Sequence, residues 1–250
     1  MVIPDTQVRP GDDLTFLTAI GNYLTEKQPD RVIHLGDHAD MPSLSSYDQG
    51  KKSFEGRRYT SDIAAARKGM ETLWAPVEAY NRKAKSGHRE RYKPSRDILL
   101  GNHEARINRA INDDAKLEGV LSIDDLGYKE YGWNQHEFLD VVILDGVAYS
   151  HYFVTGVAGR AASTASAQIR KTNMSCIAGH QQGLQIATAS RADGARLTSV
   201  IAGSCYLHDE DYLGPQGNKH WRGVLMLHDV SDGEFDLMPV SLPFLMRKYL

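Results

Sequence analysis

Apolar and polar positions follow two rhythms along this chain. In the first half, short apolar runs alternate with segments of helical period. Met1–Pro4 reads as a buried strand ending at Asp5, and residues 12–27 then place Leu14, Phe16, Leu17, Ile20 and Leu24 on one helical face. Arg31–Leu35 predicts a second strand, running directly into Gly36-Asp37. Residues 41–59, rich in Ser, Gly and charge, read as a long loop. The segment from Ser61 to Ala84 predicts a helix with Ser61 as N-cap, kinked or divided at Pro76. Asp97–Leu100 is a third strand ending in Gly101-Asn102-His103-Glu104, with one or two short helices over about 104–125.

From Phe138 the pattern changes to period two. Residues 138–153 predict two strands joined by a tight Asp145-Gly146 turn and ending at His151. A Ser/Ala-rich helix follows over about 160–171, then short strands at 175–178, 184–188, 197–202, 222–228 and 235–240. The order β-α-β-α-β followed by hairpin-like strands predicts an α/β fold, a two-layered or sandwiched mixed sheet flanked by helices.

Composition narrows this picture. The chain has 250 residues, 41% of them apolar, enough for one α/β domain with a substantial core. A compact domain carrying an insertion also fits, and residues 41–96 are where that insertion falls. Cys176 and Cys205 each sit in a strand-like apolar run and read as buried thiols, with a bridge as the alternative. No leader pattern precedes Asp5, and no apolar stretch is long enough to span a bilayer, so a cytoplasmic protein is expected.

The net charge of −3 hides an asymmetry, because residues 51–109 hold 15 Lys and Arg against 7 Asp and Glu. The densest run, Arg82–Arg96, is either a solvated helix end or a positive rim that attracts a polyanion.

Five polar segments carry the candidate chemistry: Asp5-Thr6-Gln7, Gly36-Asp37-His38-Ala39-Asp40, Gly101-Asn102-His103-Glu104, Ser150-His151 and Gly179-His180-Gln181-Gln182. Four follow a predicted strand, at the end where α/β sheets usually bind ligands. Each alone is ordinary turn chemistry. Together they offer oxygen and imidazole donors without cysteine, a set suited to Mn²⁺, Mg²⁺, Fe or Zn²⁺ rather than to a structural zinc knot.

In order and spacing these segments resemble the calcineurin-like metallophosphoesterase superfamily, whose pattern runs Asp-x-His, Gly-Asp-x-x-Asp, Gly-Asn-His-Asp/Glu, a lone His, and Gly-His-x-His. The likeness covers residues 5 to 182. It implies a mixed β-sandwich flanked by helices and two divalent metal ions, with Mn²⁺ first in line. Asp37 would bridge the ions, Asn102, His151 and His180 would complete one shell, and Asp5, Gln7 and Gln182 the other. His103 would be the catalytic histidine, with Asp40 and Glu104 orienting the site. Arg57, Arg58 and Arg106 are candidate phosphate contacts.

The pattern departs from the family at two places. Gln7 and Gln182 stand where the family has histidines, both on the same ion. Either the amides coordinate and create an all-oxygen site for a harder ion, or that ion is weakly held. The expected function is hydrolysis of a phosphate ester by a metal-activated hydroxide. The first expectation is a phosphodiesterase acting on DNA or RNA, and the alternatives are a phosphomonoesterase on a protein or small molecule, or a non-catalytic metal-binding module.

Overall fold

The computed structural model describes residues 1–155, 158–210 and 213–250. Its first half contains β1 (Val2–Ile3), α1 (Thr15–Lys27), β2 (Arg31–His34), α2 (Tyr59–Ser86), β3 (Ser95–Leu99), α3 (Arg106–Asp113) and β4 (Asn134–His136). The second half begins with β5 (Val142–Leu144), β6 (Val147–Ser150), β7 (Val154–Thr155), β8 (Arg160–Ala161), α4 (Ala165–Thr172) and β9 (Cys176–Ala178). It ends with β10 (Leu184–Ser190), β11 (Arg196–Ala202), α5 (Gly214–Gly217), β12 (Gly223–Ser231), β13 (Glu234–Ser241) and α6 (Leu242–Tyr249).

Two mixed sheets organise these elements. One runs β13-β12-β1-β2-β3-β4, with β1 to β4 parallel and β12 and β13 antiparallel. The other runs β10-β11-β9-β6-β5, with β11, β9 and β6 parallel. Successive side chains of a strand point to opposite faces, and this sorts the core into layers. Val2, Ile33, Leu99 and Leu225 of the first sheet meet Val147, Tyr149, Ile177 and Val200 of the second. The alternate residues Ile3, Val32, Ile98 and Val224 face Leu17, Leu24, Met70, Trp74 and Leu245 on α1, α2 and α6. Each such buried side chain contributes about 1.5–3 kcal/mol.

Some expectations are corrected by packing. α2 starts at Tyr59, two residues before Ser61, and Arg58 is its N-cap residue with no side-chain capping bond. Tyr59 secures that first turn instead, its hydroxyl bonding Asp125 and the Ser122 carbonyl. Pro76 lies inside α2 without dividing it. Burial of Met70, Leu73, Trp74 and Val77 on both sides of the proline outweighs its cost of about 3 kcal/mol. The region expected as a loop over 41–59 is one up to Arg58, with two single 3₁₀ turns, Pro42–Leu44 and Lys52–Phe54. Strands β4, β7 and β8 and helices α5 and α6 were not anticipated, and the helix expected over about 160–171 is α4, which begins only at Ala165 because β8 occupies Arg160–Ala161. Both cysteines are buried and free. Among the described residues no helix is long and apolar enough to cross a membrane.

Candidate metal centre

All five polar segments meet at one place, because each leaves the carboxyl end of a parallel strand. Asp5, Asp37 and Asn102 follow β1, β2 and β3 of one sheet; His151 and His180 follow the neighbouring parallel strands β6 and β9 of the other. The sheets are tied together here. His151 Nδ1–H donates to the Leu35 carbonyl (2.8 Å), and the His180 amide donates to Asp5 Oδ1 (3.1 Å).

Close approach dictates the glycines. A Cβ on Gly101 would fall 2.0 Å from Asp37 Oδ1, and one on Gly179 would fall 2.5 Å from Asp5 Oδ1. Three non-glycine residues of the centre take the left-handed backbone region: Gln7 (φ 39°), Asp37 (φ 49°) and His180 (φ 66°). Such conformations cost of order 1–3 kcal/mol each and gather at functional sites.

Asp37 is central and buried. Its Oδ1 accepts from the His103 amide (2.9 Å), while its Oδ2 lies 3.4 Å from His151 Nε2. Asn102 Oδ1 lies 3.0 Å from His151 Nε2 and 2.7 Å from His180 Nδ1. Donor atoms of Asp37, His151 and His180 fall within 4.8 Å of one another. Because Nδ1 of His151 is engaged by a carbonyl, Nε2 is the nitrogen turned toward Asp37.

On the other side of Asp37 the donors are oxygens. Asp5 Oδ2 and Gln7 Oε1 are buried and have no hydrogen-bond partner. Buried polar atoms are almost always paired, and of the eight orphaned side-chain atoms among the described residues these two, separated only by Thr6, are the ones that belong to the five polar segments. Gln182 is different, since its Oε1 accepts from the Tyr206 hydroxyl at 2.5 Å.

The carboxylates of the centre draw positive charge toward it. Burial, and then the charge of Asp37, push the Asp5 carboxyl up to about 7. Burial would also raise Asp37, but His103 and His151 outweigh it and hold Asp37 well below the usual carboxylate range. Burial opposes the charge on His151, yet Asp37 carries it up to about 9. Burial, with His151 beside it, lowers His180 to about 4 and keeps its imidazole neutral. Two buried carboxylates, a neutral imidazole and the unpartnered amide oxygen of Gln7 fit a divalent cation.

Around this centre, Glu104 accepts from the amides of Asp37, Gly101 and Ala39 and from the Tyr128 hydroxyl, all at 2.9–3.0 Å, locking two motif loops together. His103 donates from Nδ1 to Asp40 Oδ1 (2.5 Å), and its Nε2 stands 3.8 Å from Asp37 Oδ2. Burial would lower His103, but Asp37 and the bond to Asp40 raise it to about 9, leaving an imidazolium beside the cluster.

A cavity of about 900 Å³ opens over Gln7, Asn102, His103 and His180. Arg57 and Arg106, two of the candidate phosphate contacts, line it. Arg57 is held by the Pro42 carbonyl and Asp48, and Arg106 lies 3.4 Å from His103 Nε2. Arg58 is exposed and is not among the residues lining it. Sequence reasoning missed Arg9, Tyr47 and Glu210 in the wall, since nothing but proximity marks them. Arg9 lies 3.8 Å from Asp40 and 3.9 Å from Glu210. The residues Arg82–Arg96, by contrast, lead into the amino end of β3, the opposite pole from the centre.

The molecule is thus a mixed α/β protein whose two sheets share a buried carboxylate–imidazole cluster able to hold metal. No protein-family model matches the chain. It is similar to the "Gene 54 protein" of Mycobacterium phage D29, 28% identical over 197 residues, or 74% of this chain and 70% of that protein. A shorter likeness joins it to the "Gene 54 protein" of Mycobacterium phage L5, 42% identical over 62 residues, or 25% of this chain and 24% of that one.

Proposed function

We propose that this chain is a metal-dependent phosphoesterase of the calcineurin-like type, with a phosphodiester of nucleic acid as its first substrate class. The carrying observation is the pair of buried, unpartnered oxygens, Asp5 Oδ2 and Gln7 Oε1, next to the Asp37–His151–His180 cluster. Asp37 touches both groups, its Oδ2 3.4 Å from His151 Nε2 and its carbonyl accepting from the Gln7 amide at 2.8 Å, and is the candidate bridge. The two-sheet architecture with helices on its faces supports the same class.

Asn102, His151 and His180 would hold one ion, and Asp5 and Gln7 the other. Gln182 would join that second set only by sharing the oxygen that accepts from Tyr206. Hard oxygen donors favour Mn²⁺ or Mg²⁺ there. Bound divalent cations supply Lewis acidity, neutralising phosphate and acidifying water. The chain's own groups do the rest. Asp40 orients His103, whose charged imidazole stabilises negative charge developing on the phosphoryl group and can protonate the leaving oxygen. Arg106 offers a cation at the cavity wall.

A second reading, a small phosphate ester, draws support from one placement. The basic cleft formed by Lys85, Arg89, Arg91 and Lys93 lies at the far pole, so it does not line the catalytic cavity.

The test is metal content together with hydrolysis of bis-p-nitrophenyl phosphate and single-stranded DNA in Mn²⁺. Two ions per chain and turnover abolished by His103→Ala support the enzyme. One ion or none, with no turnover, favours a non-catalytic metal-binding module. A steep loss of substrate affinity with salt supports nucleic acid over a small ester.

A further inference from the structure

The cavity above the metal centre has a size and a charge balance that say what enters it. At about 900 Å³ it falls in the range of sites that enclose one small molecule. Among the described residues its lining carries four cationic side chains and four acidic ones. The cations are also partly spoken for, because Arg57 and Lys51 both pair with Asp48 at 2.8 and 3.0 Å. A groove built for a long polyanion would carry a surplus of positive charge. This cavity has none outside the histidines of the centre.

At its mouth stands Tyr47, 81% exposed, the most exposed large hydrophobic side chain described. The loop beneath it is fastened on both sides. Ser45 is buried, the Ser43 amide donates to Asp62 at 2.9 Å, and Arg57 bonds the Pro42 carbonyl at 3.0 Å. A phenol ring thus stands in water on an anchored loop, above a site whose floor is His103 and Asn102. Aromatic faces stack on nucleobases irrespective of base identity.

We infer that Tyr47 is the stacking platform for a single nucleobase, so that the cavity takes one nucleotide unit, free or at the end of a single strand, with its phosphate directed to Arg106 and His103. This rests on the phosphoesterase reading and sharpens it. On the acidic side of the cavity Asp209 is engaged by Arg222 at 3.1 Å and Glu210 by His208 at 2.9 Å, so the base is held by its stacking face rather than by its edge. The specificity therefore lies in the base and one phosphate, not in a duplex backbone.

The deciding experiment is calorimetric titration, in Mn²⁺ buffer, with adenosine 5′-monophosphate and with ribose 5-phosphate, which lacks the base. The wild type should bind the nucleotide about tenfold more tightly than the sugar phosphate. Tyr47→Ala should equalise the two affinities, and Tyr47→Phe should keep the preference. Equal affinities in the wild type, no binding of either ligand, or an undiminished preference in Tyr47→Ala would each overturn the inference. Hydrolysis of bis-p-nitrophenyl phosphate by the same preparation reports separately on the enzyme. Turnover without base preference sinks the Tyr47 inference alone; a Tyr47-dependent preference without turnover sinks only the catalytic reading.

Discussion

On one side of Asp37 the candidate ligands are two imidazoles and an amide oxygen that already contact one another; on the other they are oxygens, two of them buried with no partner. The first side satisfies itself when the centre holds no ion, and the second does not. Unpaired buried oxygens cost about 1–3 kcal/mol each, so the oxygen side is where a bound cation would relieve the larger cost. The two glutamines that depart from the family pattern also separate. Gln7 presents a bare oxygen, whereas the oxygen of Gln182 is engaged by Tyr206.

The harshest test of this contrast removes its pivot. Asp37→Ala should abolish binding on both sides and lower any phosphoesterase rate by roughly a thousandfold or more, measured by metal analysis and turnover. Retention of one tightly held ion would show that the two sides are independent. Next in size is Gln7→Ala, which should weaken one ion about 10–100-fold while leaving the metal-free protein about as stable as before, since relief of an unpaired buried oxygen offsets the packing lost. Gln182→Ala should weaken that ion by only a few-fold. The reverse ranking, read by isothermal titration, would undo the distinction drawn between them.

Charge supplies a third test. His103 and His151 sit near 9 in the fold against an ordinary value of about 6.5. Their stabilisation is fully present below about 6.5 and is lost as pH rises through about 9. Asp5, raised to about 7 from its ordinary 3.8, loses stability in the same direction over a lower range. Protein kept in chelator should therefore unfold in less urea at pH 9 than at pH 6.5, by a few kcal/mol. Added Mn²⁺ should flatten the dependence, and a metal-free stability that rises with pH would contradict it. Smaller still is Glu104→Gln. It puts an amide donor against backbone amides and should cost about 2 kcal/mol, seen as a Tm lower by roughly 4–8 °C. Smallest is Arg58→Ala, which should leave substrate binding within about twofold where Arg106→Ala raises KM about tenfold.

Much of the fold was legible because its signals are local. Alternation in residues 138–153 and at 197–202 identified strands, and the Asp145-Gly146 turn lies where two hydrophobic runs meet. What was lost is instructive. Strand β4, Asn134-Gln135-His136, has no apolar pattern; it exists because the open edge of β3 pairs with it. Ser61 has the chemistry of a cap, but the helix begins at Tyr59 because the Tyr59 hydroxyl reaches Asp125, 66 residues away. The site motifs were readable because each joins a glycine to a polar side chain at a strand end. Tyr47, Arg9 and Glu210 were not, since a cavity wall has no spacing rule.

By itself, the sequence determined the strand–helix order, the five polar segments and their attachment to strand ends, because backbone period and turn chemistry act over a few residues. Only the tertiary structure decided that β1 to β3 and β6 with β9 would point their carboxyl ends at one spot, so that residues 175 positions apart, Asp5 and His180, share a hydrogen bond. It also decided that the basic run Arg82–Arg96 would lie at the opposite pole, and that Gln7 would keep its oxygen bare while Gln182 would not. Those outcomes depend on which sheet faces pack together and which neighbour reaches an atom first, and no local pattern encodes either.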